Sequence, residues 1–383
     1  MNNILPLKQS LIVPERLREA REAMELSMTD LAEKIGVSRQ AISLYEDGQR
    51  APEPEILIHI VQALQQPISY FTTSRPPTFG RRGTRFFRAF KSKTKRQNTR
   101  CEILSDWFAQ AASYFSESVN LPLVSVPEIA PPQDGVAYSD EEIEDAATHC
   151  RRHWGLGDGP IANVVALLES KGIIIARAEF GNENVSAFSF WEGSRPFIFL
   201  GADRESACRS RYDACHELAH LLLHRGIDTS DLEHDLDRIE HEADRFSGAF
   251  LLPEKTYPME VFSSRLATFI HLKNRWKVSA AAQIYRCSEL GILDEHQILN
   301  LRKQLSANKW RKREPLDDKI GPELPTVMEK CLRLLLDNKR KTVGDIFAGI
   351  RLAQSTLEAL MGVRLPVSDN IQGPMVSLRG EGC

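Results

Sequence analysis

Five consecutive residues, His216-Glu217-Leu218-Ala219-His220, most constrain how this chain can fold and what it can bind. Residues four apart lie on one face of a helix, so an α-helix here would let both imidazoles bind the same metal ion. Glu217 lies roughly 100° further round such a helix, where it can act as a general base on a water at the ion. The pattern therefore predicts a zinc site on a helix spanning about 205–224.

Two histidines leave zinc short of a third protein ligand. The next predicted helix, about 236–251, contains Glu240-His241-Glu242-Ala243-Asp244. We expect Glu242 to be the third ligand, because the interval from His220 accommodates one turn and an antiparallel return, and we expect Glu240 to point to a different side. Zinc then keeps one open position, as catalysis requires. The sequence does not distinguish zinc from manganese as the ion.

Residues next to these ligands are expected to support the site or the core. His224 continues the four-residue spacing but is rotated too far to share the ion, so a position at the helix end or behind the ligands is expected. Asp213 and Asp244 are candidates for orienting the ligand imidazoles. Cys215 is expected to be buried among apolar residues.

Composition favours an ordinary globular protein. The 383 residues carry a net charge of −3, and the seven scattered cysteines contain no Cys-x-x-Cys pair, which argues against a disulfide framework and a thiolate metal site. No apolar stretch reaches the roughly 18–20 residues needed to span a membrane. We therefore expect a cytoplasmic protein with no membrane partner, in which any contact with DNA comes from a local patch.

Prolines, glycines and changes of pattern divide the chain into four regions. A mainly helical, multidomain fold is expected, with an α+β region containing a small sheet: a helix over 163–170 and strands over 173–180, 185–191 and 196–200. A weak helix-turn-helix rhythm at 341–363 is explained equally well by a plain helical hairpin. The regions are 14–72, helical; 73–139, a basic linker and helix; 140–262, α+β with the metal site; and 263–383, helical.

The N-terminal region has helix start and stop signals in the order that a helix-turn-helix requires. Ser27 or Thr29 can begin one helix, Gly36 ends it, and Ser38 begins the next. The second helix of such a motif lies in the major groove of DNA. The predicted DNA contacts are Ser38, Arg39, Gln40 and Ser43, with Arg50 on the phosphates. The open alternative is a helix-turn-helix that binds only protein, because residues 1–80 hold eight basic and ten acidic side chains.

The run 81–100 contains nine basic and no acidic residues. Together with Phe86, Phe87 and Phe90 it could supplement the DNA contact or bind single-stranded nucleic acid. An interdomain helix with one solvated basic face is an equally good interpretation.

Two families resemble these segments. Residues 209–224 and 240–253, with Pro196-Phe-Ile-Phe-Leu-Gly201 upstream, look like the ImmA/IrrE metallopeptidase family, apart from Tyr212 and Ala219, where Phe and Gly are commoner. The resemblance implies a zincin-like fold, zinc ligands His216, His220 and Glu242, and a catalytic Glu217. Residues 27–52 resemble the phage-repressor (Cro/C1, XRE) helix-turn-helix family, which implies binding to double-stranded DNA. Repressor-like domains often act as dimers, so a homodimer is left open.

The resemblance implies a transcriptional regulator that is also a zinc endopeptidase. Members of this type cleave helix-turn-helix repressors, so the expected substrate is a transcriptional repressor, or the chain itself, after stress or DNA damage. The alternative is a DNA-binding transcription factor whose zincin-like domain is a non-proteolytic sensor or scaffold. A complete Glu217 and an open zinc position favour the peptidase.

Overall fold

The computed structural model describes residues 12–80, 83–84, 86–87, 95–178, 187–202, 206–227, 229–310 and 313–364. None of the helices in these ranges is both long enough and apolar enough to cross a membrane. The elements are α1 Pro14–Ala23, α2 Met28–Ile35, α3 Arg39–Glu46, α4 Pro54–Leu64, α5 Ile68–Phe71, β1 Phe86–Phe87, α6 Lys95–Ser116, α7 Asp140–His153, α8 Val164–Ser170, β2 Ile174–Ala178, β3 Ala187–Glu192, β4 Arg195–Gly201, α9 Ala207–Leu223, α10 Thr229–Leu251, α11 Tyr257–Glu260, α12 Leu266–Trp276, α13 Ala280–Glu289, α14 Glu295–Ala307, α15 Val327–Asp337, α16 Val343–Ile350 and α17 Gln354–Met361.

These elements form two compact units. Unit 1 takes its described residues from Met1–Pro76, Thr99–Asn120 and Met328–Cys383, and unit 2 from Pro77–Asn98 and Leu121–Val327. The C-terminal region predicted as one segment, 263–383, is thus divided between the two. The mainly helical class with one small sheet is confirmed.

The N-terminal helices of unit 1 begin and end where their sequence indicates. Ser27 caps α2 by accepting a hydrogen bond from the Asp30 N–H, and the Asp30 carboxylate accepts one from the Ser27 N–H. Gly36 ends α2 with a positive φ of 74°, a conformation that costs glycine little. Ser38 then caps α3 through the Ala41 N–H. The expected helix-turn-helix is present.

Helix α6 contributes the centre of unit 1. Phe108 and Phe115 on this helix are fully buried. The Trp107 indole donates to Glu19 on α1 at 2.9 Å, and Arg16 and Arg75 form ion pairs with the same carboxylate. A buried carboxylate needs such partners, because isolated charge is costly away from water. The helix predicted from about residue 85 begins at Lys95 in the described residues.

A four-stranded sheet with the order β1-β3-β4-β2 lies in unit 2. Strands β3 and β4 form an antiparallel hairpin, and β2 runs parallel to β4. Gly193 occupies the two-residue turn of the hairpin with a φ of 59°, and a Cβ there would overlap the Phe79 backbone. The three predicted strands are confirmed where the structure describes them, and residues 179–180 and 185–186 of the predicted ranges lie outside the described residues.

Two long helices pack beside this sheet and carry the candidate metal ligands. Helix α9 packs on β3 and β4, and α10 packs on α9 and α7. Helix α10 is interrupted at Asp235, whose φ and ψ of −109° and 17° are not helical. The helical residues after this interruption begin at residue 236, which is the helix start that the sequence predicts. Leu218 of α9 and Phe246 of α10 lie in one continuous hydrophobic core with Ile198 of β4.

Candidate metal centre

The two histidines of the opening motif meet on the buried face of α9. His216 and His220 are each 1% exposed, and their Nε2 atoms lie 3.1 Å apart. The one-turn spacing brings both imidazoles to the same side of the helix, as the sequence predicts. A pair of nitrogen atoms at this separation can bind a single ion.

Glu240, not Glu242, supplies the carboxylate beside this pair. Its Oε2 lies 3.3 Å from His216 Nε2 and its Oε1 lies 3.5 Å from His220 Nε2. The three side chains form the metal-ligating group found among the described residues. The prediction of Glu242 is corrected, because positions 240 and 242 point to different sides of α10 and the face with Glu240 is turned toward α9.

Asp244 orients the first histidine. One turn after Glu240 on the same face of α10, its Oδ1 lies 2.8 Å from His216 Nδ1. A carboxylate accepts a hydrogen bond, so Nδ1 carries the proton and the Nε2 lone pair faces His220 and Glu240. The expectation for Asp244 is confirmed. Asp213 is buried but is not seen in contact with the ligand imidazoles.

His224 and Glu242 orient the second histidine by a longer route. The Nε2 of His224 lies 2.8 Å from Glu242 Oε2, and its Nδ1 lies 2.9 Å from His220 Nδ1. Because the carboxylate accepts a hydrogen bond from His224 Nε2–H, His224 Nδ1 is unprotonated and accepts one from His220 Nδ1–H. That arrangement leaves the Nε2 lone pair of His220 facing its ligand partners. His224 thus lies at the helix end and behind the ligands, as predicted.

Glu242 is itself held by two further donors. Arg238, one turn earlier on α10, donates to its Oε1 at 2.9 Å, and the Tyr138 N–H donates to the same oxygen at 3.2 Å. Burial alone would raise the pKa of Glu242, but the contacts with His224 and Arg238 outweigh burial and lower it. Glu242 is therefore an anion that holds His224, and its role differs from the predicted one.

The electrostatics of the ligands favour a cation. Burial opposes charge on His216, but hydrogen bonds to Asp244 and Glu240 outweigh it and raise the pKa of His216 to about 10. These two carboxylates favour a cation at Nε2, and a metal ion would replace the Nε2 proton and bind the lone pair there. Burial lowers the pKa of His220 to about 3, which keeps it neutral, the form that binds metal. Although burial works against it, the contacts with the two imidazoles lower the pKa of Glu240. Two imidazole nitrogens with one carboxylate are a donor set typical of zinc.

Glu217 lies on the side of α9 that faces the sheet. It is fully buried, and its Oε2 lies 2.7 Å from the hydroxyl of Ser189 on β3. Burial raises the pKa of Glu217 to about 8, and a nearby cation would lower that pKa again. Ser189 was not among the predicted site residues, because a serine in a strand carries no spacing signal that connects it to α9.

Comparison with known families agrees with this geometry. Residues 168–288, which contain all of these helix residues, match the Peptidase_M78 family, described as the IrrE N-terminal-like domain. Residues 17–71 match the helix-turn-helix family. This chain joins a helix-turn-helix domain to an IrrE N-terminal-like domain. The IrrE N-terminal-like region contains the His216, His220 and Glu240 side chains, which together could hold a metal ion.

Three curated relatives are transcriptional regulators by name. A transcriptional regulator in the ATPase CF(0) region of Rhodospirillum rubrum is 42% identical over 59 residues, and an HTH-type transcriptional regulatory protein of Pyrococcus furiosus is 39% identical over 54. The HTH-type regulator YqaE of Bacillus subtilis is 34% identical over 56 residues. These matches cover 14–15% of this chain and 55%, 17% and 48% of the relatives, respectively. The chain therefore spans about half or less of each relative.

The helix-turn-helix domain displays most of its predicted DNA contacts on the surface. Ser38, Arg39 and Gln40 are exposed at the first turn of α3. Ser43 is half-buried and lies 3.3 Å from Asp47. Arg50 is exposed, with its guanidinium 6.0 Å from the centre of the Tyr45 ring. The structure groups the first three at one helix end, the end that enters the major groove in this motif.

The basic segment 81–100 falls largely outside the described residues, including Phe90 and most of its basic side chains. Within the described part, Arg100 on α6 lies 3.8 Å from Glu25. The interpretation of this segment as a nucleic-acid contact stays a prediction.

Proposed function

We propose that this protein is a DNA-binding regulator whose IrrE N-terminal-like domain is a zinc endopeptidase. The observation that carries the proposal is the convergence of His216 Nε2, His220 Nε2 and the Glu240 carboxylate within 4.8 Å. The two histidines lie on α9, which also holds the buried Glu217, and Glu240 lies on α10. Three ligands with an adjacent carboxylate match the composition of catalytic zinc sites.

The residues around the site have separate tasks. A zinc ion would polarise the scissile carbonyl and lower the pKa of water. Asp244 and His224 keep the two Nε2 lone pairs directed inward. Glu217 takes up a proton on its carboxylate and delivers it to the leaving amine, while Ser189 fixes the position of that carboxylate. General acid–base catalysis of this kind contributes roughly 10²–10⁴-fold to a rate.

A cavity bordering the centre suits a side chain of the substrate. It has a volume of about 420 Å³ and is lined by residues that include Asp244, Tyr212, Arg209 and Tyr285. Its position next to Asp244 places it beside the proposed ligands. Its mixed polar and aromatic lining fits a protein substrate.

The proposed substrate is a helix-turn-helix repressor, or the chain itself, cut in response to stress or DNA damage. This part of the proposal depends on the resemblance to repressor-cleaving peptidases. The fused helix-turn-helix domain supports it, because a regulator that binds the same operators would bring the peptidase close to a repressor.

Replacing Glu217 with Gln tests the peptidase. The variant preserves the size of the side chain and all three ligands, and Glu254→Gln, at an exposed carboxylate, is the matched control. We expect Glu217→Gln to lose at least 100-fold in cleavage of the repressor encoded by the neighbouring gene, with one zinc per chain still bound. Persistent cleavage by this zinc-loaded variant would show that the assigned mechanism is wrong.

The DNA contacts are tested separately. Arg39→Ala should weaken binding to an enriched operator by about 1–3 kcal/mol and relax its sequence preference. Lys34→Ala, which removes the same charge from an exposed position on α2, is the control. If Arg39→Ala abolishes operator binding while wild-type protein and Glu217→Gln both leave every tested repressor intact, the sensor or scaffold function replaces the peptidase.

A further inference from the structure

The last two described helices repeat the backbone of the N-terminal helix-turn-helix. Helices α2 and α3 each have eight residues, separated by three. Helices α16 and α17 also have eight residues each, separated by three. Adding 315 to a residue number in the first motif gives the equivalent residue in the second. Met28 thus corresponds to Val343, and Glu46 corresponds to Met361.

The local signals of the two motifs coincide at equivalent positions. Ser27 and Thr342 each begin a helix with a reciprocal capping box that uses an aspartate three residues later. Gly36 and its equivalent Arg351 both end that helix in the left-handed conformation, with φ of 74° and 60°. In both motifs the N–H of this residue bonds to the carbonyl four residues earlier. A plain helical hairpin requires none of these coincidences.

The buried residues coincide as well. Five positions along the two helices are buried in both motifs. The equivalent buried pairs are Leu31 and Ile346, Ile35 and Ile350, Ile42 and Leu357, Tyr45 and Leu360, and Glu46 and Met361. Equivalent faces of the two motifs are therefore directed into the core. The outward face of α17 then corresponds to the outward face of α3.

The second motif is fixed within unit 1 by its core side. Gln66, which is buried, accepts a hydrogen bond from the Ala353 N–H and donates one to the Thr356 hydroxyl, both at 3.0 Å. Ala353 has no capping side chain, and Gln66 instead binds the N–H of Ala353 and the hydroxyl of the third residue of α17. Gln110 of α6 donates to the Ile350 carbonyl at 2.6 Å. These contacts leave Ser355, at the first turn of α17, exposed.

The charge of the second motif favours a polyanion. Residues 338–364 contain five basic residues and two acidic ones, whereas the equivalent residues 23–49 contain two basic and five acidic. Lys339 and Arg340 are exposed directly before α16, where a helix-turn-helix approaches the DNA backbone. The basic residues are Lys339, Arg340, Lys341, Arg351 and Arg364, and the acidic ones are Asp345 and Glu358.

We propose that α16 and α17 form a second helix-turn-helix that binds double-stranded DNA, with the first turn of α17 in the major groove. Gln354, Ser355 and Glu358 occupy the positions of Arg39, Gln40 and Ser43 in the first motif. Their side chains match base edges: glutamine pairs with adenine, serine with any base, and glutamate accepts from cytosine. The protein thus reads two separate DNA elements through unit 1. This proposal does not depend on the peptidase activity.

Salt-dependent binding of the full chain to a random-sequence DNA duplex tests the phosphate contacts. The double variant Arg340→Ala/Arg351→Gly removes two charges, and glycine suits the positive φ at 351, so the fold is preserved. The slope of log K against log salt should fall by about two. Arg333→Ala, at an exposed arginine of α15 paired with Glu329, should leave the slope unchanged. A wild-type slope in the double variant overturns the proposal.

Selection of bound sequences from the same random duplex tests base reading. Wild-type protein should enrich two sequence elements. Gln354→Ala/Ser355→Ala should lose one element, and Arg39→Ala should lose the other. If Gln354→Ala/Ser355→Ala enriches the same sequences as wild type, α17 does not read DNA. In that case its surface serves a protein partner. Arg39→Ala alters only the first motif, and Gln354→Ala/Ser355→Ala alters only the second. Failure of the first motif to bind DNA can therefore be distinguished from failure of the second.

Discussion

Single residues behind the His216–His220 pair decide which ring nitrogens face the ion. Asp244 accepts a hydrogen bond from His216 Nδ1–H. His224, held in turn by Glu242, accepts one from His220 Nδ1–H. Orienting partners of this kind typically change metal affinity by 10–100-fold. Glu242 therefore matters to the site although it does not reach the ion, and its effect can be separated from that of a true ligand.

Matched substitutions at positions 240 and 242 distinguish the two roles. We expect Glu240→Gln to lose its zinc on dialysis, because a ligand carboxylate is gone. Glu242→Gln should retain one zinc per chain with an affinity lowered by about 10–100-fold, because only the support of His224 is weakened. Metal analysis and competition with a chromophoric chelator measure both. Zinc retained by Glu240→Gln and lost by Glu242→Gln would restore the original assignment.

The relative positions of His216, Glu217 and His220 could be predicted from sequence because the order of residues within one helix fixes them. The third ligand lies on another helix, and the rotation of α10 about its own axis depends on tertiary packing. The spacing of Asp244 could have indicated Glu240 as the third ligand. The two residues are one turn apart and therefore lie on the same face of α10. Glu242 shares a face with Arg238 instead.

At the level of elements, the packing of α16 against α6 depends on the absence of a side chain at Gly349. A Cβ at this position would overlap the ring of Tyr114 on α6. The Tyr114 hydroxyl also donates to the Asp345 carbonyl at 3.2 Å, and Lys341 lies over the Tyr114 ring. Tyr114 of α6 therefore packs on the proposed second helix-turn-helix, in addition to the hydrogen bonds from Gln66 and Gln110.

Two glycines in α16 give a controlled test of this packing. Gly349→Ala should lower the free energy of unfolding of unit 1 by about 1–3 kcal/mol, because the added methyl group has no space. Gly344→Ala lies in the same helix with room for a methyl group and should raise that free energy by up to about 1 kcal/mol through helix propensity. Chemical denaturation followed by circular dichroism compares them. Equal effects would contradict the packing of Gly349 on Tyr114.

For the second motif, the sequence left a helix-turn-helix and a plain helical hairpin as equal interpretations, and the reason lies in its residues. Between equivalent positions of the two motifs, only Asp30 with Asp345 and Ile35 with Ile350 are identical. The residue that ends the first helix is glycine in one motif and Arg351 in the other, so the usual signal for a left-handed turn is missing. The repeated backbone becomes visible only when the φ angles and buried positions are compared.

At the level of the whole molecule, the chain crosses between the two units several times. Unit 1 is assembled from three separate segments, and the metal site belongs entirely to unit 2. A ligand that binds only the folded state stabilises the structure that holds it. Metal binding should therefore protect one unit more than the other.

Hydrogen exchange with and without a chelator tests this separation. Removing zinc should increase amide exchange in α9 and α10, because the ion joins them, and should leave α2, α3, α16 and α17 unchanged. The Glu240→Gln variant provides a control, since its exchange should not respond to the chelator. An equal increase throughout unit 1 would show that the metal stabilises both units together.

The discontinuous build of unit 1 has a consequence for synthesis on the ribosome. Domains usually fold in the order in which they leave the exit tunnel. Here the N-terminal helices emerge first, yet Gln66 and Gln110 find their partners only when residues 350–356 have been translated. All of unit 2 is made in between. The nascent chain can therefore complete its metal-binding unit before the DNA-binding unit closes.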